Sequence, residues 1–466
     1  MRKLILGRGR VPRLVMMAAL MMAITTSLAT ASSSVPTSSS PPASPSERLL
    51  AAWSEGQDDT SALLAEVLER HPEIERARLE AAMLETKAPQ VRALDDPMLG
   101  VGLFVLPPET RVGPQRLSVT LTQKFPWFGK LALRQQAALL AASAARHQIE
   151  AVRLRVLAEA RQLLHELAFV DARKAILGEE REHLIRHEEA ARARYSAGIG
   201  LQQEVIKIQA SITQAEQRLA ALASRRLELT ASLNALRDRP IEEPVGVPRL
   251  PAPEAQDFAL DGLRQRARAS RPEFARAQLA IERSKILTEL AETQRKPDFQ
   301  LGFGYTIVEG RRDEPGRLQP PPDNGDDILA LSGSIQLPIR RQRIAASIQE
   351  TLEHQRLAEV DQRQLEIQVD RTVGDLASRL PLLHQQWTLL QDILLAQAEE
   401  ALHSAETAYA TGELGALDLL DAEHMLFEVR TSAARVRADY AIARTRLEAA
   451  LAGPVRAAEP AERRTP

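Results

Sequence analysis

The chain has 466 residues, with 60 lysines and arginines against 62 aspartates and glutamates, 3% aromatic residues and no cysteine. That length holds two to four compact domains or one extended one. The balanced charge excludes a protein built around nucleic-acid phosphates. The missing cysteines exclude disulfides, thiolate metal centres, a cysteine nucleophile and a lipid-modified cysteine. Aromatics are too few for an all-β protein, and the lean towards Ala, Leu, Glu, Gln and Arg is that of long helices.

Residues 1–31 read as a secretory signal peptide. Arg2, Lys3, Arg8, Arg10 and Arg13 precede the apolar run 14–24, and Ala29-Thr30-Ala31 is an A-x-A cleavage site. Removing it leaves 55 basic against 62 acidic residues, a net charge of −7. Residues 32–47 are expected to form a Ser/Pro linker. Beyond them no stretch approaches 18 uninterrupted apolar residues, so no transmembrane helix is expected.

The rest of the chain repeats itself. His71-Pro72-Glu73 is matched by Arg271-Pro272-Glu273, Asp96-Pro97 by Lys296-Pro297, Pro126 by Pro338, and Tyr195…Gly198 by Tyr409…Gly412. A period near 200 is too long for a solenoid and suggests two similar halves. The first repeat is drawn at 48–239, a Pro-rich linker at 240–260, the second repeat at 261–453 and a polar tail at 454–466. Each repeat is predicted to run as a medium helix (about 61–87 and 273–293), two strands, and two long helices joined at a glycine turn. The helix at 131–195 would be roughly 100 Å long and needs a coiled-coil or bundle partner. Leu222, Leu229 and Leu236 recur at seven, the spacing of such a seam. Pro381 is expected to kink or break the matching helix at 340–409.

The strands alternate. Leu117, Val119 and Leu121 alternate with Ser118, Thr120 and Thr122; Phe299, Leu301, Phe303, Tyr305 and Ile307 alternate with Gln300, Gly302, Gly304 and Thr306. Leu99, Val101 and Leu103 make a third apolar face, and Leu329, Leu331 and Ile335 a fourth. One apolar side suits either a soluble sandwich or a membrane barrel with that side, Val119 included, facing lipid. Four strands cannot close a barrel, so the membrane reading requires several chains to pool their strands. The sandwich leaves the very long helices unexplained.

Asp95-Asp96-Pro97, the run from Leu121 to Lys130 (LTQKFPWFGK), the paired Tyr-x-x-Gly turns and the run from Leu417 to Ala422 (LDLLDA) occur in an order that resembles the TolC-like outer membrane efflux protein family. The short DDP and FPWFGK forms look most like outer components of heavy-metal exporters. The resemblance implies a mainly α fold with a small membrane β part. It implies a homotrimer in which each chain gives four strands to a shared 12-stranded barrel, continued into the periplasm by an α-barrel of long helices. It implies a passive channel in the outer membrane, with outer-membrane lipid around it and with a periplasmic adaptor and an inner-membrane pump as partners. The loops 107–114 and 309–327 would face the exterior, and Pro126 and Pro338 would sit where strand becomes helix. Gly198, Gly200, Gly412 and Gly415 would mark the tips that meet the adaptor. Asp418 and Asp421, with Glu204 and Tyr409 beside them, would form the periplasmic gate. The family also carries an arginine in the second tip; Leu414 stands there in this chain, so that clamp is not carried over.

His183 and His187 lie four apart on a helix and could share a metal, though an exposed polar helix face is the simpler reading. No Walker loop, G-x-S-x-G or H-E-x-x-H occurs, so neither enzyme activity, a cofactor nor a nucleic-acid partner is expected. The reading from another class is a soluble periplasmic coiled-coil scaffold or adaptor.

Overall fold

The computed structural model describes residues 43–54, 58–246 and 249–455. The signal peptide, most of the first linker and nearly all of the polar tail lie outside the described residues. The elements below belong to one unit that begins at Ser44.

Three helices open the chain: α1 (Pro45–Ser54), α2 (Asp58–Arg70) and α3 (Pro72–Arg92). The helix expected near 61–87 is therefore two. His71 divides them because Pro72 has no N–H to continue the α2 ladder, while it suits the first turn of a new helix. The His71 Nδ1 accepts the Glu73 N–H at 3.2 Å and caps α3. The first strands are β1 (Met98–Leu103) and β2 (Gln115–Phe125), followed by the long helices α4 (Lys130–Ser196) and α5 (Gln202–Leu236).

The second repeat follows the same plan. It comprises α6 (Leu260–Ser270), α7 (Pro272–Glu292), β3 (Asp298–Val308), a short loop helix α8 (Glu314–Leu318), β4 (Ile328–Gln336), α9 (Arg341–Thr388), α10 (Leu395–Thr411) and α11 (Ala416–Ala450). Pro381 does not break α9, contrary to expectation. Buried Leu380 and Leu383 hold that stretch in the core, so packing outweighs the one backbone hydrogen bond the proline forfeits. The irregularity falls downstream, as a single π turn at Leu389–Leu394 between α9 and α10.

The four strands form one antiparallel sheet in the order β1-β2-β3-β4. Register decides what each face carries. Leu99 opposes Leu121, Leu121 opposes Phe303, and Phe303 opposes Leu331. One step along, Gly100 opposes Thr120, Thr120 opposes Gly304, and Gly304 opposes Ala330. Directly opposed residues share a face, so one face carries an apolar band, interrupted by Gln123 and Gly333 in the row of Leu301, and the other is mostly small and polar. The small face is also tight. A Cβ on Gly302 would lie 2.4 Å from the Ser332 hydroxyl, and one on Gly100 would lie 2.6 Å from that of Thr120.

One of the helical cores draws on both repeats. Leu157 and Leu167 of α4, Leu229 and Leu233 of α5, and Ala438 and Ala441 of α11 pack with α1 to α3. The segment drawn as a linker at 240–260 is tied down rather than loose. Val245 and Leu250 are buried in this core, and the Pro251 and Glu254 carbonyls accept from Arg437 at 3.0 Å and from the Tyr440 hydroxyl at 2.9 Å.

Trp53, only 6% exposed, donates its indole N–H to the buried Glu448 carboxylate at 2.6 Å and lies under the Arg161 guanidinium. Trp53→Phe keeps an aromatic ring at this buried position but removes the indole N–H and part of the ring volume. It is expected to cost about 1.5–3 kcal/mol, the range for a hydrogen bond to a charged group, read as a lower unfolding midpoint in denaturant.

Candidate functional site

Two ends of the long helices carry the residues singled out by the sequence. At one end, strand becomes helix. β2 ends at Phe125 and Pro126 follows; β4 ends at Gln336 and Pro338 follows one residue later. Proline stops the strand ladder, having no N–H to give, and tolerates the approach to a helix. Gly129, at φ 87°, makes the left-handed step into α4. Asp298 ties this corner to the neighbouring strand: its carboxylate accepts the Trp127 N–H at 2.9 Å and Lys130 Nζ at 2.7 Å. Trp127 stacks on Phe299 with ring centres 5.6 Å apart, and Phe128 stands exposed.

At the other end lie two turns, one per repeat, built alike. After α4 the Arg194 carbonyl accepts the N–H of both Ile199 and Gly200 at 3.1 Å. After α10 the Ala408 carbonyl accepts those of Glu413 and Leu414 at 3.0 and 3.2 Å. Gly198 and Gly412 occupy the same left-handed position, at φ 77° and 84°, which closes a helix end of this kind. Gly200 serves a different need. A Cβ there would meet the Tyr195 nitrogen at 2.9 Å, so the chain passes too close for a side chain.

The acidic residues gather where the return helices begin. Glu204 lies in the first turn of α5, and Asp418 in that of α11, where the helix dipole favours acids. Gly415 lies between them. A Cβ on it would be 3.7 Å from the Asp418 carboxylate and 3.9 Å from that of Glu204. Asp418 and Asp421 are both exposed, one helical turn apart. The buried Tyr409 lies near this group; burial first, and then the Glu204 carboxylate, raise its hydroxyl above the ordinary tyrosine range.

One participant escaped the sequence reading. Arg194 of the first turn donates to the Tyr409 carbonyl of the second and lies over the Tyr409 ring, 4.7 Å from its centre. Leu414 leaves no arginine at that place in the second turn, and the guanidinium that reaches this turn comes from the first. No spacing could show this, because Arg194 and Tyr409 are 215 residues apart and meet only through the fold.

Further from the turns, α4 brings His183 and His187 against α11. The Glu423 carboxylate is 1% exposed and has no hydrogen-bond partner among the described residues. Its oxygens lie 3.7 Å from His183 Nδ1 and 3.6 Å from His187 Nε2. Burial, then the neighbouring Glu180 and Glu406, push this carboxyl up to about 8, while burial lowers both imidazoles.

A sheet with an uncovered apolar face, joined through prolines to helices that end in paired turns, is the fold of outer-membrane channels. The outer membrane protein VceC of Vibrio cholerae shares it at a TM-score of 0.72 and 19% identity, covering 86% of this chain and 98% of its own. The open state of the MtrE outer membrane channel of Neisseria gonorrhoeae matches at 0.68 and 19%, covering 84% and 88%. The CmeC outer membrane channel of Campylobacter jejuni matches at 0.72 and 14%, covering 92% of each chain. No curated protein matches the chain. Residues 263–453 match the model of the outer membrane efflux protein family, and the fold is the one these solved channels share.

Arg194→Ala removes both the bond to the Tyr409 carbonyl and the stacking. Chymotrypsin is expected to cut at the two turns several-fold faster in the variant. Arg194→Lys should recover little, because a lysine lacks the planar group that stacks.

Proposed function

We propose that this chain is the outer-membrane channel of a tripartite efflux or secretion system, conducting substrates passively from an inner-membrane pump and a periplasmic adaptor. One observation carries this reading. The apolar band of the sheet stands open among the described residues: Leu99 is 68% exposed, Leu103 72% and Leu331 84%. A soluble scaffold would have to bury that band under a second sheet, and lipid covers it without one. Among the described residues no helix is long and apolar enough to cross a membrane, so strands are the part left to span the bilayer.

The edges of the sheet call for partners. β1 and β4 each present an unpaired side, and open edges are not tolerated in hydrocarbon. Three copies bring twelve strands and close the sheet, with the small polar face around a water-filled lumen. The helices then continue the channel into the periplasm. The turns at Gly198, Gly200, Gly412 and Gly415 meet the adaptor, and Ile199 and Leu201, both exposed there, offer it apolar surface. Repeated threefold, Asp418, Asp421 and Glu204 form an acidic ring that narrows the mouth and favours cations. Tyr409, held by Arg194, keeps the mouth closed. The chain performs no chemistry; the pump supplies the energy.

Two measurements test this. Phe303→Arg puts a charge on the apolar band and should cost about 2–4 kcal/mol near mid-membrane, read as loss of trimer from the outer-membrane fraction. Thr306→Arg, on the opposite face, should still assemble and instead lower conductance in planar bilayers. Equal assembly of both variants would rule out a lipid-facing band. Asp418→Asn with Asp421→Asn should shift the reversal potential in a salt gradient towards that of an unselective pore.

A further inference from the structure

The cluster at His183, His187, Glu406 and Glu423 lies outside the turns and the proposed conduction path needs none of it. It joins three helices. His183 and His187 stand one turn apart on α4, Glu406 comes from α10, and Glu423 comes from α11. One potential ligand atom each from His183, His187 and Glu406 lies within 4.8 Å of the others. We propose that these three residues, backed by Glu423, bind a divalent transition-metal ion that ties α4 to α10 and α11.

Three observations support the site. First, His183 Nδ1, His187 Nε2 and both Glu423 oxygens are buried and without hydrogen bonds among the described residues. Buried polar atoms are rarely left so, and four in one place call for a missing partner. Second, the separations of 3.6 and 3.7 Å between the imidazole nitrogens and the carboxylate are too long for hydrogen bonds. They are close to the roughly 3.4 Å between two ligands of a tetrahedral ion with bonds near 2.1 Å. Third, the charges match. Once the ion has displaced the carboxyl protons, two neutral imidazoles and two carboxylates carry −2, which a divalent cation cancels. Imidazole with carboxylate suits zinc, cobalt or nickel better than calcium or magnesium, which take oxygen ligands.

The surroundings are built for orientation. The His183 ring meets Phe427 edge-on, with centres 5.4 Å apart, and meets the His187 ring at 74°. Glu423, almost wholly buried and 3.6–3.7 Å from both rings, is placed to complete the ligand set. The side chains of His183 and His187 remain 30% and 13% exposed, which leaves a way in for the ion.

The test uses the full-length protein in detergent, stripped with a chelator and titrated with Co²⁺ and then Zn²⁺. One Co²⁺ per chain is expected, with the visible absorption of a low-coordinate ion and displacement by Zn²⁺. His187→Ala and Glu406→Gln should each weaken binding at least tenfold. Glu423→Gln, which keeps the shape, should weaken it about 10–100-fold. His424→Ala removes an exposed histidine on the same α11 and should change nothing. Zn²⁺ should raise the unfolding midpoint of the native chain and not that of His187→Ala. No saturable Co²⁺ spectrum, or the same spectrum in a His183→Ala/His187→Ala variant that keeps the native metal-free midpoint, would overturn the site.

Discussion

The two unpaired edges of the sheet govern the rest of the molecule. Each edge strand carries a row of backbone donors and acceptors with no strand partner among the described residues. Water can satisfy such groups and hydrocarbon cannot, at several kcal/mol for each group left over. A four-stranded sheet with an apolar band is therefore an unfinished object by itself. In the proposed channel the edges find their complements on neighbouring copies, so the same hydrogen bonds that hold a sheet together would also fix how many chains assemble. The glycines of the inner face belong to this logic. At Gly100 and Gly302 a methyl group would collide with a hydroxyl on the next strand, so the small polar face has no room for larger side chains there.

At the far end the problem is opposite in kind. The turns sit among exposed groups, so backbone bonds cost little, and the difficulty is to hold helix ends in place while like charges gather. Glu204 and Asp418 approach the same glycine. Arg194 stands beside them, bonded to a carbonyl of the second turn and stacked on its tyrosine. One cation joins the two repeats where their acids would otherwise push them apart. The helix dipoles contribute too, since both acids lie in the first turns of their helices.

Much of the fold could be read in advance because it is periodic. Alternation located all four strands, and the register confirms that their apolar residues share a face. The repeat located equivalent elements in both halves, and Gly198 and Gly412 share one backbone conformation. What could not be read depends on the third dimension. Pro381 signalled a break, yet neighbours in the core keep the helix intact. The segment at 240–260 has a linker's composition, yet Arg437 and Tyr440, from the other end of the chain, hold it down. Arg194 was one arginine among many until the fold put Tyr409 beneath it. His183 and His187 showed their spacing, but neither buried Glu423 nor Glu406 could be assigned to them from sequence.

The π turn at Leu389–Leu394 bears on how the repeats stay level. From Pro126 to Tyr195 the first repeat advances 69 residues, and from Pro338 to Tyr409 the second advances 71. At 1.5 Å per residue two extra positions would carry the second turn about 3 Å past the first. Arg194 would then miss the Tyr409 carbonyl, and Glu204 and Asp418 would no longer flank Gly415. A π turn winds more residues into each circuit than an α turn does. It therefore works as a slack loop in a taut cable: about one of the two surplus residues is wound in sideways, which brings the two legs closer to the same rim.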